Sequence, residues 1–133
     1  MCTYKKALNP DSLTAHLGSC VGVSIYNKLS KTGFLGHFVS DMTDSDSMLM
    51  EACNFGTSNL EAVLAGGSIS DNMGFDEIGI VLNNKEHLYV RLRKFGIPDN
   101  KIIMKFADKN TATDMTLYTS NGFVEVYYEN FKF

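Results

Sequence analysis

Cys20 and His37 are the residues of this sequence whose types and spacing point most directly to chemistry. Cys20 ends the stretch LGSC at 17–20 and precedes an apolar, β-branched run at 21–26, so its thiol stands where a strand begins. A cysteine attacks as the thiolate, and a nearby imidazole both lowers its pKa and later protonates the leaving group. His37 lies near the end of the next apolar run, so the two side chains can meet on adjacent antiparallel strands. The pattern predicts Cys20 as a nucleophile and His37 as its base.

The residues just before Cys20 supply the other groups that such a pair needs. Thr14 lies upstream of the turn, and its hydroxyl is a candidate to hold the His37 imidazole in the right tautomer. Gly18 and Ser19 form the turn, and their backbone N–H groups are candidates to stabilise a developing oxyanion. Together these groups predict an acyl-transfer site.

Structural interpretations compete with these assignments. Free cysteine is among the most buried residue types, so Cys20 can equally be a small hydrophobe at the start of a strand. Cys53 lies in an amphipathic segment and is predicted to be a core residue, whereas Cys2 is predicted to lie in a frayed terminus. A zinc site can be drawn from His16, Cys20, His37 and Cys53, but its spacing matches no known metal signature. No metal is therefore predicted.

The composition limits the class of protein that carries this site. The chain has 133 residues, 44% of them apolar, which suits one compact domain over 1–133. The net charge is −3 and no basic cluster is present, so nucleic acid is not an expected partner. No apolar run reaches the roughly 18–20 residues of a membrane span, and the N-terminus lacks the apolar core of a signal peptide. We therefore expect a cytoplasmic protein that is not membrane-embedded.

The elements that position the pair are predicted from apolar patterning. Strands at 20–26 and 33–39 flank a polar loop and form a β-hairpin that carries both candidates. A short helix is predicted within 40–55. A longer helix is predicted over 76–95, with Asp76 as its N-terminal cap and an apolar face formed by Ile78, Val81, Leu82, Leu88, Leu92 and Phe95. Further strands are predicted from residue 60 into a Gly-Gly turn, and at 101–107, 113–119 and 122–128. This order predicts an α+β fold with largely antiparallel β-sheets packed with two or three helices.

The residues around the pair resemble the signature of the CheD family, the chemoreceptor glutamine deamidases. The matching pattern is T-x-x-L-G-S-C-V-x-V-x-I-Y over 14–26 and G-x-x-G-H over 33–37. In that family the catalytic set is a Thr six residues before the Cys and a His seventeen residues after it, and the same intervals occur here. The resemblance thus implies that Thr14, Cys20 and His37 are catalytic.

The resemblance continues beyond the hairpin. The stretch AGGS at 65–68 is similar to the family's glycine turn, which implies that Gly66, Gly67 and Ser68 take part in substrate binding. The pair IG at 78–79, followed by Asn83 or Asn84, resembles the family's IGxxN helix start.

The sequence departs from the family pattern in three places. Ser40-Asp41 replaces the usual Leu-Pro after the His-containing strand, and the stretch at 107–115 replaces a late Gly-Gly and Arg pattern. His16 stands where family members commonly carry a small residue.

The resemblance implies a cysteine-dependent deamidase that converts a side-chain glutamine of a chemoreceptor to glutamate and releases ammonia. It implies a CheC-type phosphatase as a further partner, and no cofactor is expected because the thiolate is the nucleophile. Two alternatives stay open. One is a non-catalytic, CheD-like binding module that docks on a receptor or a CheC-type phosphatase, and the other is a toxin-like deamidase of a different protein.

Overall fold

A computed structural model describes residues 3–39 and 45–130, which form two β-sheets and two α-helices. The elements are β1 (Thr3–Leu8), β2 (Ser12–Leu17), β3 (Val21–Asn27), β4 (Thr32–Phe38), α1 (Ser45–Ala52), β5 (Leu60–Gly66), α2 (Phe75–Lys94), β6 (Ile102–Phe106), β7 (Thr111–Tyr118) and β8 (Val124–Asn130), with a 3₁₀ turn at Asp99–Lys101.

The five-stranded sheet has the order β1-β4-β3-β5-β6, and the three-stranded sheet has the order β2-β7-β8. Neighbouring strands are antiparallel except for β5 and β6, which are parallel and are connected through α2. A parallel pair needs such a crossover connection. The predicted α+β fold with largely antiparallel sheets is confirmed. No helix in the described ranges is long and apolar enough to cross a membrane.

The strands β1 and β2 were not predicted from the sequence. In β1 one residue of six is buried, so it shows no clear alternation of apolar and polar side chains. In β2 the alternation exists at Leu13, Ala15 and Leu17, but it extends over only six residues. The missed strand β2 matters because it carries Thr14.

The predicted hairpin and both predicted helices are present. The long helix α2 buries Val81, Leu88 and Leu92, as expected from its spacing. Leu82, which was expected on the same face, is instead 49% exposed, and the buried position belongs to Asn84. The helical period thus placed Leu82 on the wrong side of a narrow buried stripe. The predicted start of the short helix, Ser40-Asp41 and Cys2 lie outside the described residues.

Apolar side chains fill both faces of the five-stranded sheet. The helices cover one face, where the buried residues include Ile25, Phe38, Leu64, Leu88 and Leu92. The three-stranded sheet covers the other face, where the buried residues are Ala15, Leu17, Leu35, Val63, Ala65 and Met115.

Two glycines let the sheets approach each other. A Cβ atom on Gly22 would lie 2.7 Å from Cδ1 of Leu17 and 2.9 Å from Sδ of Met115. A Cβ atom on Gly33 would lie 2.7 Å from Cδ2 of Leu117. Any larger side chain at these positions would push the sheets apart, because interiors are close-packed.

We expect Gly66→Ala to lower the free energy of unfolding by more than about 1 kcal/mol. Gly66 has a φ of +77°, and a Cβ atom there would lie 2.6 Å from the carbonyl oxygen of Cys20. Urea unfolding measures the effect as a lower midpoint at an unchanged slope.

The matched control is Gly79→Ala in α2, where a Cβ atom would have no neighbour within 4 Å. It should stabilise the protein by about 0.5–1 kcal/mol. Equal midpoints for wild type and Gly66→Ala would mean that the backbone after β5 has a different conformation.

Candidate active site at the start of β3

Cys20 and His37 share one face of the five-stranded sheet. Gly22 of β3 pairs with His37 of β4, and Cys20 precedes Gly22 by two residues. Side chains alternate between faces, so Cys20 and His37 are diagonal neighbours, at a separation of about 7–8 Å between backbone positions. The packing of Cys20 against the layer between the sheets agrees with this placement. The hairpin thus brings the two residues together at one end of the sheet.

The turn that holds Cys20 rests on the glycine turn after β5. The carbonyl oxygens of Gly18 and Cys20 accept hydrogen bonds from the N–H groups of Ser68, at 3.0 Å, and Gly67, at 2.8 Å. Gly66 lies directly under the Cys20 carbonyl. The turn at 18–20 and the glycine turn at 66–68, which were predicted as separate features of the sequence, are therefore in contact.

The side chain of Ser68 makes hydrogen bonds within the protein. Its residue is 2% exposed, and its hydroxyl donates to the carbonyl of Asp108 at 2.8 Å and accepts from the N–H of Thr111 at 3.0 Å. These bonds tie the glycine turn to the start of β7. The Ser68 hydroxyl is thus occupied in holding the turn.

His37 is half-buried and borders a groove of about 460 Å³. The groove lies between β2 and the strands β1 and β4, and its lining includes Lys5, Thr14, His16 and Leu35. The Nδ1 atom of His37 is buried and has no hydrogen-bond partner among the described residues. Such atoms are rare in folded proteins, and a catalytic role is one of their recognised causes.

The hydroxyl of Thr14 points to the outer face of the three-stranded sheet. It shares a 3.1 Å hydrogen bond with the hydroxyl of Thr116, opposite it on β7. The structure therefore shows the Thr14 side chain engaged with β7.

The backbone N–H and carbonyl of Thr14 lie in the plane of the sheet and point away from β7, towards the open edge of β2. Thr119 donates its N–H to the carbonyl of Asp11, so that pair is hydrogen-bonded across the ladder. Bonded and non-bonded pairs alternate in an antiparallel ladder, which makes Thr14 and His16 members of non-bonded pairs. Because β2 is an edge strand, the Thr14 carbonyl faces the side of β2 that borders the groove.

His16 has a partner that the sequence did not reveal. Its Nδ1 atom lies 2.6 Å from Oδ1 of Asp114, and 79% of its side chain is exposed. The two residues are 98 positions apart, so no local pattern could have indicated the pair. His16 therefore stands at the rim of the groove, opposite Asp114 on β7.

Cys53 lies on the other side of the five-stranded sheet from Cys20. It packs against the layer between that sheet and the helices, and burial raises the pKa of its thiol. The four residues of the zinc alternative, His16, Cys20, His37 and Cys53, therefore do not converge. Within 3–39 and 45–130 no group of three or more potential metal ligands occurs.

The class of protein defined by this arrangement is an α+β protein of two packed sheets, with a cysteine and a histidine as diagonal neighbours at one end of a β-hairpin. A solved structure with a similar fold is that of the Bacillus licheniformis hypothetical protein YfiH, at a TM-score of 0.54 and 17% identity. The match covers 71% of this chain and 46% of that protein, so the chain spans less than half of its length. At this identity the likeness shows the fold alone.

Three proteins of known name are similar to this chain in sequence. A probable chemoreceptor glutamine deamidase CheD of Clostridium tetani is 28% identical over 90% of this chain and 83% of the relative. The protein of the same name from Clostridium novyi is 26% identical over 90% of this chain and 85% of the relative. A third, from Syntrophomonas wolfei, is 44% identical over 41% of this chain and 32% of the relative.

No family model matches the chain. The named relatives nevertheless confirm the resemblance to CheD, and their modest identity fits a divergent member of that family.

We expect iodoacetamide to modify Cys20 several-fold faster than Cys53 near neutral pH. The raised pKa of Cys53 keeps its thiolate scarce, whereas an imidazole partner, the role predicted for His37, would favour the thiolate of Cys20. Mass spectrometry of peptides after short exposures measures both rates in one sample. Labelling in denaturant is the control, since it should equalise them, and equally slow labelling in the native protein would favour the structural interpretation of Cys20.

Proposed function

We propose that this chain is a protein-glutamine deamidase that acts on a chemoreceptor. The observation that carries the proposal is the placement of Cys20 and His37 as diagonal neighbours on one face of the sheet, at the spacing of the CheD motif. The names of the relatives that cover most of the chain support the same reaction and the same kind of substrate.

In the proposed reaction the Cys20 thiolate attacks the side-chain carbonyl carbon of a glutamine, and the carbonyl electrons move to oxygen. When the carbonyl re-forms, the C–N bond breaks and the leaving nitrogen takes a proton from His37, which releases ammonia. Water then attacks the thioester while His37 accepts its proton. The C–S bond breaks, glutamate leaves and the thiolate is restored, so one water is consumed for each ammonia released.

The turn at 18–20 is proposed to stabilise the oxyanion. The carbonyls of Gly18 and Cys20 already accept hydrogen bonds from Ser68 and Gly67, so the turn is held rigidly against the glycine turn. Donors that are fixed before the reaction stabilise developing charge without reorganisation. The backbone N–H groups at Gly18 and Ser19 take this role.

Thr14 is proposed to orient His37 through its peptide carbonyl. The Thr14 carbonyl is directed to the open edge of β2, while the Nδ1 atom of His37 lacks a partner and both residues border the same groove. A carbonyl acceptor for Nδ1–H would leave Nε2 free to act on Cys20 and the substrate. The Thr14 hydroxyl is already engaged with Thr116.

We expect Cys20→Ala to abolish deamidation and to leave stability near that of wild type, because little volume is removed. His37→Ala should be nearly as damaging, since residues that act as one unit lose their effect together. The measurement is intact-mass analysis of chemoreceptor cytoplasmic fragments after incubation, in which each conversion of glutamine to glutamate gives a small, defined mass increase.

The matched control is Cys53→Ala, which should keep activity and lose about 1 kcal/mol of stability. Conversion by Cys20→Ala at the wild-type rate would show that the nucleophile is misassigned. If wild type binds receptor fragments and converts none of them, the non-catalytic binding module is the correct function.

Thr14→Val tests how Thr14 acts. Valine keeps the strand and the peptide carbonyl but removes the hydroxyl, so the rate should stay within a few-fold of wild type. A hydroxyl that set the imidazole tautomer would instead make the loss large, up to about 10⁴-fold by analogy with other triads. The comparison uses the same intact-mass assay.

A further inference from the structure

Asn84 is the buried polar residue of α2. It is fully buried, on the same helix face as Val81, Leu88 and Leu92. Its Nδ2 group donates a 2.8 Å hydrogen bond to the carbonyl of Phe38, whereas its Oδ1 atom is buried and has no partner in the part of the chain that the structure describes.

The unpaired Oδ1 atom makes Asn84 an energetically unfavourable choice at this position, so its presence needs an explanation. A buried polar atom without a partner costs about 1–3 kcal/mol. An apolar side chain at this position would pack among leucines and avoid that cost. The benefit of Asn84 must therefore come from its one bond, to the end of β4.

That bond is made next to the candidate base. Phe38 is the last residue of β4 and directly follows His37. The ladder between β3 and β4 ends with the pair of Val21 and Phe38, so the carbonyl of Phe38 lies where strand pairing stops supporting the backbone. The ring of Phe38 is fully buried. The ring and the Asn84 bond together anchor the strand end that carries His37.

The next residue of α2 reaches the other half of the site. The stem of Lys85 covers Gly67, with its Cε atom 2.5 Å from where a Cβ atom would lie, and its Nζ atom stands 5.2 Å from the centre of the Phe106 ring. Gly67 donates to the carbonyl of Cys20. One turn of α2 thus contacts Phe38, which follows His37, and Gly67, which is hydrogen-bonded to Cys20.

We propose that Asn84 is a positioning residue for His37. Its hydrogen bond to the carbonyl of Phe38 fixes the end of β4 and with it the distance and angle between the imidazole and Cys20. The catalytic consequence rests on the proposed deamidase function, but the effect on His37 is measurable without it. A displacement of about 1 Å in such a pair lowers a rate by roughly 10²-fold.

The test compares Asn84→Leu with Asn83→Leu. Asn83 is the adjacent residue of the same type and is exposed, so its replacement controls for helix propensity and composition. Two-dimensional NMR records the ring resonances of His16, His37 and His87, the three histidines of the chain, assigned through histidine-to-glutamine variants. In Asn84→Leu the ring resonances of His37 should change position, because the imidazole moves relative to the side chains around it, while those of His16 and His87 stay unchanged. Asn83→Leu should match wild type.

The activity readout separates positioning from simple loss of fold. With the folded fraction verified by circular dichroism, Asn84→Leu should lower kcat about ten- to hundredfold and leave KM within about twofold. If Asn84→Leu does not fold, Asn84→Ala, which only trims the side chain, replaces it with the same expectations.

Unchanged His37 ring resonances in a folded Asn84 variant overturn the inference, whatever the enzyme does. So does a reduced melting temperature with unchanged kcat, which is the result of a purely structural asparagine. A third outcome is that wild type deamidates no fragment, while the His37 ring resonances change in the Asn84 variant and not in the Asn83 variant. The positioning role then stands, and the reaction assigned to the site is wrong.

Discussion

The packing of the Leu17 side chain against two glycines, Gly22 and Gly66, is the contact on which the rest of the site depends. Cβ atoms on Gly22 and Gly66 would lie 2.7 Å from Cδ1 and 2.9 Å from Cβ of Leu17, respectively. Leu17 ends β2 and is 3% exposed, so it pins the end of the three-stranded sheet to β3 and β5. The chain then has three residues in which to reach β3. The turn with Cys20 is therefore held between two sheets that cannot slide without exposing Leu17.

This arrangement explains why the site combines rigid and exposed parts. The backbone of the Cys20 turn is bound to the glycine turn, and the end of the His37 strand is bound by Asn84 from α2. The polar pairs on the outer face of β2 and β7, by contrast, are exposed, and exposed ion pairs contribute little to stability. The fold thus holds Cys20 and the end of the His37 strand firmly and leaves the groove rim, with His16, accessible.

Much of the fold and the central pair could be predicted from the sequence, because both depend on local order. Alternating apolar runs and a polar loop predicted the hairpin, and the same order placed Cys20 at the start of one strand and His37 near the end of the next. The apolar spacing of α2 predicted that helix to within one residue at each end, whereas its predicted cap was wrong, since the N-cap is Gly74 and Asp76 lies in the first turn. The CheD motif is likewise a matter of intervals along one hairpin, so it is visible without any structure.

Only the tertiary structure decided which contacts Thr14, His16 and Asn84 make. Thr14 and His16 belong to β2, whose partner β7 lies about a hundred residues away, so neither the pairs with Thr116 and Asp114 nor the direction of the Thr14 carbonyl follows from local pattern. Asn84 and not Leu82 lies on the buried face because the buried stripe of α2 is narrow, at Val81, Asn84, Leu88 and Leu92. The sequence by itself determined the order and local spacing of these residues. Packing across the whole fold then set the strand register and the helix rotation. These two features determined which atoms of the residues face the groove.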